Sequence, residues 1–166
     1  MKKFIKNNWP LLLILILAGI YRFWQINHLP GGLFPDEAAN GLDINSIFKG
    51  DLQPFYERGN GREALFFYVI AIPVAIFGRG PWQHHIVSAG FGFATVLATY
   101  FLAKRMFGQR VALLSSFFMA VSSYAVTVER TAFRANTVPF FCTMTLLFLV
   151  KFFQTEDKKS KYWSAA

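Results

Sequence analysis

The stretch that decides the fold is residues 9–26, WPLLLILILAGIYRFWQI, which carries a single charged side chain, Arg22. A helix of about 20 apolar residues is long enough to cross the hydrocarbon core of a bilayer. Three later runs are similar in length and composition, at residues 86–102, 111–128 and 138–153. We therefore predict an all-α membrane protein with four transmembrane helices, at about residues 9–26, 83–103, 110–128 and 138–153.

The composition of the whole chain also argues against a soluble protein. Hydrophobic residues make up 54% of the 166 residues, and phenylalanine alone occurs 20 times, more than the interior of a soluble domain could hold. The first run follows Met1-Lys2-Lys3 as in a signal peptide, but it is long and lacks a small-residue cleavage site. A signal anchor is therefore the preferred interpretation. The single cysteine, Cys142, excludes an intrachain disulfide.

Basic residues are distributed unevenly between the segments that connect the spans. If the short apolar stretch at 64–77 does not cross the membrane, one side carries two acidic residues, Glu156 and Asp157, and ten basic ones: Lys2, Lys3, Lys6, Lys104, Arg105, Arg110, Lys151, Lys158, Lys159 and Lys161. The other side has seven basic and seven acidic residues. The positive-inside rule places the basic side in the cytoplasm. The net charge of +8 then reflects topology, and we predict no nucleic-acid partner.

The predicted layout is a multi-pass protein of the plasma membrane with a cytoplasmic N-terminus. Residues 1–153 form the membrane module. Its large outer loop, residues 27–82, contains two juxtamembrane helices at about 37–49 and 62–78, the second interfacial or re-entrant. The polar tail at 154–166 is predicted to be cytoplasmic, and its abrupt end suggests that the chain is the N-terminal piece of a longer protein.

An acidic pair, Asp36-Glu37, lies ten residues after the first span and directly behind Pro35. Asp36 has two interpretations: it only caps the first surface helix, in whose first turn Glu37 is favoured, or it is a catalytic carboxylate. We expect that helix to stop at Gly50. The residues predicted to form its apolar face are Ala38, Leu42, Ile47 and Phe48. The charged segment 57–63 is open to a plainer interpretation as a solvated turn whose charges pair with each other.

The loop GLFPDEAANGLDINSIFKGD, continued by PFYERGNGREALFFYVIAIPVAIFG, resembles the first outer loop of the C-type (GT-C) membrane glycosyltransferases. KRMFGQRVALLSSFFMAVSSYAVTVERTAFRANTVP is similar to their third span and second outer loop. The nearest families are the dolichyl-phosphate-mannose–protein mannosyltransferases (family 39) and the bacterial lipid A aminoarabinose transferases. The matching features, in order, are Asp36-Glu37, Gly50-Asp51, Arg62-Glu63-Ala64-Leu65, Tyr68 and Phe77-Gly78.

This resemblance implies the N-terminal part of an inverting glycosyltransferase. Such an enzyme moves a sugar from a polyprenyl-phosphate donor to an acceptor protein, glycan or lipid on the outer face of the membrane. It implies that Asp36, with Glu37 beside it, is catalytic, since a positioned carboxylate can take the proton of the attacking hydroxyl. Arginines suit the leaving phosphate. The candidate phosphate ligands on this side are Arg58, Arg62, Arg130 and Arg134.

Plainer interpretations of the basic residues stay open. Arg130 and Arg134 could pair with Glu129 or with lipid headgroups. The pair His84-His85 is interpreted as an anchor at the membrane interface, because no further His or Cys stands at metal-ligand spacing.

The chain departs from its relatives in two respects. Many relatives carry a second acidic residue in the second outer loop, where this chain reads VERTAFRAN, with Arg134 in the expected place and Glu129 as the only acid. No metal ligands are assigned, and a divalent cofactor, Mg²⁺ or Mn²⁺, stays open. The relatives are also longer, so we expect this piece to need the remainder of the enzyme for activity.

The sequence bears on two other classes of function. The alternative that stays open is a small non-enzymatic membrane scaffold or assembly subunit, suggested by the short chain and its abrupt polar tail. A transporter is disfavoured, because transporters place ionisable side chains within their spans and these four runs contain essentially one, Arg22.

Overall fold

The structure, a computed structural model, describes residues 2–58 and 61–154, with side chains from residue 9 onwards. Residues 155–166, nearly all of the predicted cytoplasmic tail, lie outside the described residues. The elements in chain order are α1 (Lys2–Phe23), α2 (Pro35–Phe48), β1 (Phe55–Tyr56), β2 (Arg62–Glu63), α3 (Leu65–Phe77), α4 (Pro81–Phe107), α5 (Gln109–Val121), α6 (Ser123–Glu129), a 3-10 turn (Arg134–Thr137) and α7 (Val138–Gln154).

The predicted helical character of the chain is confirmed, and part of the predicted span layout is found. Two helices are long and apolar enough to cross a membrane: α4, and α7 together with the turn before it, Arg134–Gln154. The bent pair α5 and α6 could make a third span. The apolar part of α1 at Trp9–Phe23, and α3, are shorter. The four-span layout therefore stays a prediction.

The predicted span at 110–128 is broken in the middle. Between α5 and α6 the backbone of Ser122 is extended, with φ −60° and ψ 112°, and the two helix axes differ by 58°. The Ser122 hydroxyl accepts a hydrogen bond from the N–H of Ala125 at 3.4 Å, so it caps the new helix. The break leaves carbonyl groups at the end of α5 without partners in their own helix.

The helix α4 is the centre of the bundle and packs against α1, α3, α5 and α7. Gly108 reverses the chain between α4 and α5 with a φ of +86°, a conformation that favours glycine. Small side chains allow the helix backbones to approach closely. The buried small residues at these contacts include Ala18 of α1, Ala98 of α4, and Ala112, Ser116 and Ala120 of α5.

A second layer, made of α2, the β1–β2 hairpin and α3, covers one end of the bundle. In the hairpin, Phe55 pairs with Glu63 and Tyr56 pairs with Arg62. Gly61 has a φ of +88° and faces the ring of Phe55, which leaves no space for a side chain. The apolar core of this layer consists of Ile44, Tyr56, Ala64, Phe66, Phe67, Ile70, Ala71, Val74 and Ala132.

The juxtamembrane helices differ from their predicted boundaries. The N-cap of α2 is Phe34 and its first residue is Pro35, so the prediction that Asp36 is the N-cap was wrong. Proline suits the first helical position because its φ is already helical and an N–H there would have no partner. The second helix begins at Leu65 rather than at 62, because Arg62 and Glu63 pair with β1.

The buried face of α2 is polar, contrary to the predicted apolar face. Its buried residues, at helical spacing, are Glu37, Asn40, Asp43 and Ile44. Ala38, Leu42 and Phe48 are exposed. The predicted end of the helix is confirmed, since Lys49 is the C-cap and Gly50 follows with a φ of +92°.

Candidate functional site

The carboxylate of Glu37 joins three segments of the chain. It is completely buried, and its Oε2 atom accepts the N–H of Phe34 at 2.7 Å. Its Oε1 atom accepts the N–H of Ala132, in the connection between α6 and α7. The Nε2 atom of His85, on α4, lies 3.6 Å from Oε2. The start of α2 is therefore tied to α4 and to the second loop through one side chain.

These contacts determine the charge of Glu37. Burial raises the pKa of its carboxyl, but the His85 ring and the N–H groups of Ala132 and Phe34 together outweigh burial and hold the pKa below its ordinary value. The group stays ionised at neutral pH and both of its oxygens are in use. Glu37 is therefore suited to hold the site together and poorly suited to accept a proton from a substrate.

Asp36 is its neighbour in sequence but has the opposite environment. Its side chain is 75% exposed, and its Oδ1 atom lies 3.9 Å from Nη2 of Arg62. Arg62 is buried and donates to Oδ1 of Asn40 at 2.6 Å and to the Asp36 carbonyl at 3.4 Å. A buried guanidinium thus holds the backbone of Asp36 while the carboxylate faces outward, as a base that meets a substrate must do.

Two of the other candidate phosphate ligands, Arg58 and Arg134, form ion pairs with carboxylates. Arg58 donates to Oδ1 of the buried Asp43 at 2.8 Å, and its own side chain is half exposed. Arg134 donates to Oε2 of Glu63 at 2.6 Å and to the Gly61 carbonyl at 3.3 Å. The sequence interpretation in which the charges of segment 57–63 pair with each other was wrong for Glu63, whose partner comes from the second loop.

Arg130, another of the predicted phosphate ligands, contacts the backbone near the end of α1. Its guanidinium lies within 3.4 Å of the carbonyl oxygens of Tyr21, Arg22, Trp24 and Leu29, at and beyond the end of α1. It satisfies carbonyls that the end of a helix leaves without partners. Among the described residues Arg130 forms no ion pair with Glu129, which was one of the two alternatives left open, and backbone carbonyls occupy its donors.

Sequence reasoning missed a buried ion pair behind this site. Nη2 of Arg22 lies 2.6 Å from Oε2 of Glu129, and both side chains are buried. Arg22 also donates to the carbonyls of Ala120 at 3.0 Å and Met119 at 3.2 Å, which the break after α5 had freed. Gly92 of α4 leaves the space that the Glu129 carboxylate fills.

Two buried asparagines complete the connection between the loops. Nδ2 of Asn40 donates to the Ala132 carbonyl at 3.3 Å. Nδ2 of Asn136 lies within 2.8 Å of the Ser88 hydroxyl and of the carbonyls of Val128 and Thr131. The spacing of Glu37, Asn40 and Asp43 on one face of α2 was the signal in the sequence that could have predicted a buried polar face.

The histidine pair is also buried. His84 is 5% exposed and His85 is fully buried, so the prediction of an anchor at the membrane interface was wrong. Both belong to the first turns of α4, where His84 lies beside Gly41 of α2 and His85 beside Glu37.

The donors for a divalent metal do not converge in the described part of the chain. No three His, Cys, Asp or Glu side chains among residues 9–58 and 61–154 form a set that could hold an ion. Glu37 faces His85, and Glu129 faces Arg22. These residues do not fit a metal site.

Comparison with known proteins identifies a family. The family model described as dolichyl-phosphate-mannose-protein mannosyltransferase matches residues 64–166, a range that begins after Asp36 and Glu37. An uncharacterized protein of Aquifex aeolicus (strain VF5) is 25% identical over 171 aligned residues, which cover 99% of this chain and 32% of that protein. The chain thus spans about a third of this relative's length. No solved structure matches.

Proposed function

The chain belongs to the dolichyl-phosphate-mannose-protein mannosyltransferase family of GT-C type membrane glycosyltransferases, and we propose that it forms the N-terminal part of an inverting enzyme. In this proposal the sugar comes from a polyprenyl-phosphate donor and moves to an acceptor on the outer face. The observation that supports it most is the contrast between Asp36, which is 75% exposed, and the anchored segment that carries it.

Asp36 is the proposed general base. The acceptor hydroxyl donates a hydrogen bond to the Asp36 carboxylate, and its proton moves to that carboxylate as its oxygen attacks the anomeric carbon. The bond between that carbon and the phosphate oxygen breaks, and its electron pair leaves with the polyprenyl phosphate. Attack opposite to the leaving group inverts the anomeric carbon.

The surrounding residues have two proposed roles: some position the base, and others stabilise the charge of the leaving phosphate. Glu37 and Arg62 act as positioning residues, since they hold the start of α2 through Ala132 and Asn40. Arg58 and Arg134 are the proposed phosphate ligands, because each is partly exposed and can exchange a carboxylate partner for phosphate oxygens. Arg130 is the poorest of the four candidates, because backbone carbonyls occupy its donors.

The proposal is tested with Asp36→Asn in the intact protein, using a panel of radiolabelled polyprenyl-phosphate sugars and isolated membranes that contain the acceptor. Removal of the base should lower sugar transfer by about 10²- to 10⁴-fold. Glu57→Gln is the matched control, because it also neutralises an exposed carboxylate of the outer loop, and it should transfer at the wild-type rate.

Two outcomes would count against different parts of the proposal. Normal transfer by Asp36→Asn would remove Asp36 as the base. If the wild-type protein transferred sugar from a nucleotide sugar but from none of the lipid-linked donors, the proposed class of donor would be wrong.

A further inference from the structure

A crevice of about 500 Å³ lies between α4 and α7 near their C-terminal ends. Three basic side chains line it, Lys104 and Arg105 from α4 and Lys151 from α7, together with the apolar side chains of Phe101 and Leu147. Within the described part of the chain, every charged side chain that lines this basic crevice is therefore positive. Two different helices supply these charges to one cavity.

The two helices that form the crevice run in the same direction. The rings of Phe91 and Phe140 lie 5.8 Å apart, and Nε2 of Gln154 donates to the Arg105 carbonyl at 3.4 Å. Both contacts join residues that are 49 positions apart in the chain, so α4 and α7 are parallel and end on the same side of the bundle. The first turns of α4, beside Glu37, are about 30 Å away along the helix. The crevice is therefore separate from the proposed site of sugar transfer.

Polar and apolar side chains follow in the same order along both walls of the crevice. Phe101 precedes Arg105 by about one helical turn on α4, and Leu147 precedes Lys151 by about one turn on α7. α4, and α7 with the turn before it, are also the described helices that are long and apolar enough to cross a membrane. The basic groups thus lie at the end of each span, and the apolar ones lie about 6 Å nearer its middle. A phospholipid has the same order, with a phosphate followed by acyl chains.

Both lysines of the crevice lie over aromatic rings. Nζ of Lys104 is 5.5 Å from the centroid of the Tyr100 ring, and Nζ of Lys151 is 5.8 Å from that of the Phe148 ring. A ring face attracts an ammonium group but carries no opposite charge, so these contacts orient the lysines without cancelling their charge. The helix dipole favours basic residues in a last turn. It explains why the residues are basic, but not why an open crevice lies between them.

We propose that the basic crevice binds one anionic phospholipid from the bilayer leaflet at this end of the bundle. The phosphate lies among Lys104, Arg105 and Lys151, and the guanidinium of Arg105 can donate two parallel hydrogen bonds to its oxygens. One acyl chain lies against Phe101 and Leu147. Basic pockets between transmembrane helices are suited to acidic lipid headgroups. The bound lipid fills the space between the two spans and connects their ends.

The test compares two lipids with identical acyl chains. Phosphatidylglycerol carries a net negative charge, and phosphatidylcholine carries none. Native mass spectrometry of the intact protein in detergent, titrated with each lipid, measures the two dissociation constants. One basic residue near the phosphate changes the affinity by about fivefold, so three should favour phosphatidylglycerol by about 100-fold. Equal affinity for the two lipids would overturn the proposal.

Two double variants with the same net charge separate the crevice from the overall charge of the protein. Lys104→Gln/Lys151→Gln should reduce the preference for phosphatidylglycerol to about fivefold, because Arg105 alone remains. Lys49→Gln/Arg79→Gln removes two exposed basic residues outside the crevice and should keep the wild-type preference. An equal loss in both double variants would mean that the attraction is diffuse and that the crevice is not a site.

A third variant leaves every charge in place. Leu147→Trp puts a larger apolar side chain into the crevice, and α7 can accept it because none of its described residues is buried. It should weaken the binding of phosphatidylglycerol, while circular dichroism should show an unchanged helix content. Unchanged binding would place the lipid outside the crevice.

Two competition experiments test for other occupants. Glycerophosphoglycerol is the same headgroup without acyl chains, and at equal concentration it should not displace phosphatidylglycerol. Displacement would make the crevice a site for a soluble anion. A preference that appears only after deletion of residues 155–166 would instead assign the crevice to the acidic residues of that tail, Glu156 and Asp157. None of these measurements depends on the activity assay for Asp36.

Discussion

The two ends of the helix bundle use charge in opposite ways. At the end that we predict to face outward, acidic and basic side chains are paired across segments, as in Arg22–Glu129, Arg58–Asp43 and Arg134–Glu63. At the other end, a crevice of about 500 Å³ between α4 and α7 is lined by Lys104, Arg105 and Lys151 with Phe101 and Leu147. No acidic residue of the described chain lines it.

The difference shows that charged side chains stabilise the fold at the first end, whereas at the second end basic side chains indicate the orientation in the membrane. Charge buried among helices must be paired, because a lone ion there loses its hydration without compensation. Exposed basic residues at the end of a span carry no such requirement, and they favour the cytoplasmic side. Substitutions at the paired end should therefore affect stability most.

The largest effect is expected for the Arg22–Glu129 pair. Arg22→Met leaves the Glu129 carboxylate buried without its partner and should lower the free energy of unfolding by about 3–5 kcal/mol. Unfolding in a mixed detergent, followed by circular dichroism, measures the change. The double variant Arg22→Met/Glu129→Gln should recover part of the loss, because both charges are then removed. A double variant less stable than Arg22→Met alone would contradict this account.

A smaller effect with a distinct pH dependence is expected at Glu37. Glu37→Gln keeps the size but removes the charge that the N–H groups of Phe34 and Ala132 stabilise, at a cost of about 1.5–3 kcal/mol at neutral pH. The pKa of Glu37 is lowered in the folded protein. Its contribution is therefore present above its unfolded value, about 4.3, and is lost as the pH falls through the folded value.

The same unfolding measurement from neutral to acid pH checks the sign. The free energy of unfolding of the wild-type protein should exceed that of Glu37→Gln at neutral pH, and this difference should disappear as the solution is acidified below the ordinary pKa of glutamate. Asp51→Asn, at an exposed position in the same outer loop, is the control and should follow the wild-type curve. An advantage that grows towards acid pH would mean that Glu37 is protonated in the folded protein.

The smallest effect is expected at the opposite end. Arg105→Gln changes an exposed side chain at the rim of the basic crevice, and the free energy of unfolding should stay within about 0.5 kcal/mol of wild type. The orientation of the protein can change even so, and protease accessibility of the loop after α4 in sealed vesicles would measure it. A loss of unfolding free energy as large as that of Glu37→Gln would contradict the conclusion that charge stabilises the fold at only one of the two ends.

The sequence predicted features that depend on neighbouring residues. The apolar runs that became α4 and α7 were found because length and composition are sufficient evidence for a membrane helix. The end of α2 at Gly50 was predicted from its place after the last periodic residue. The N-cap was misassigned to Asp36, because the preference of Pro35 for the first helical position moved the start of the helix.

The candidate site was less predictable because its contacts are distant in the chain. Glu37 and Ala132 are separated by 95 residues, and no local pattern connects them. Arg22 was noted as the ionisable residue of a span, but its partner Glu129 became evident only when α1 met the end of α6. Arg130 was predicted as a phosphate ligand because its charge can be read from sequence, whereas its carbonyl partners cannot.

By itself the sequence determined that this chain is a helical membrane protein with a loop that carries an acidic pair. The free energy of transferring apolar residues into lipid is a sum of contributions from single residues. It can therefore be judged from the sequence without knowing which other residues they contact. Only the tertiary structure decided which carboxylate of the pair is buried in the protein and which is exposed. Asp36 and Glu37 differ because α4 and the second loop bring a ring and an N–H group to one of them and leave the other exposed.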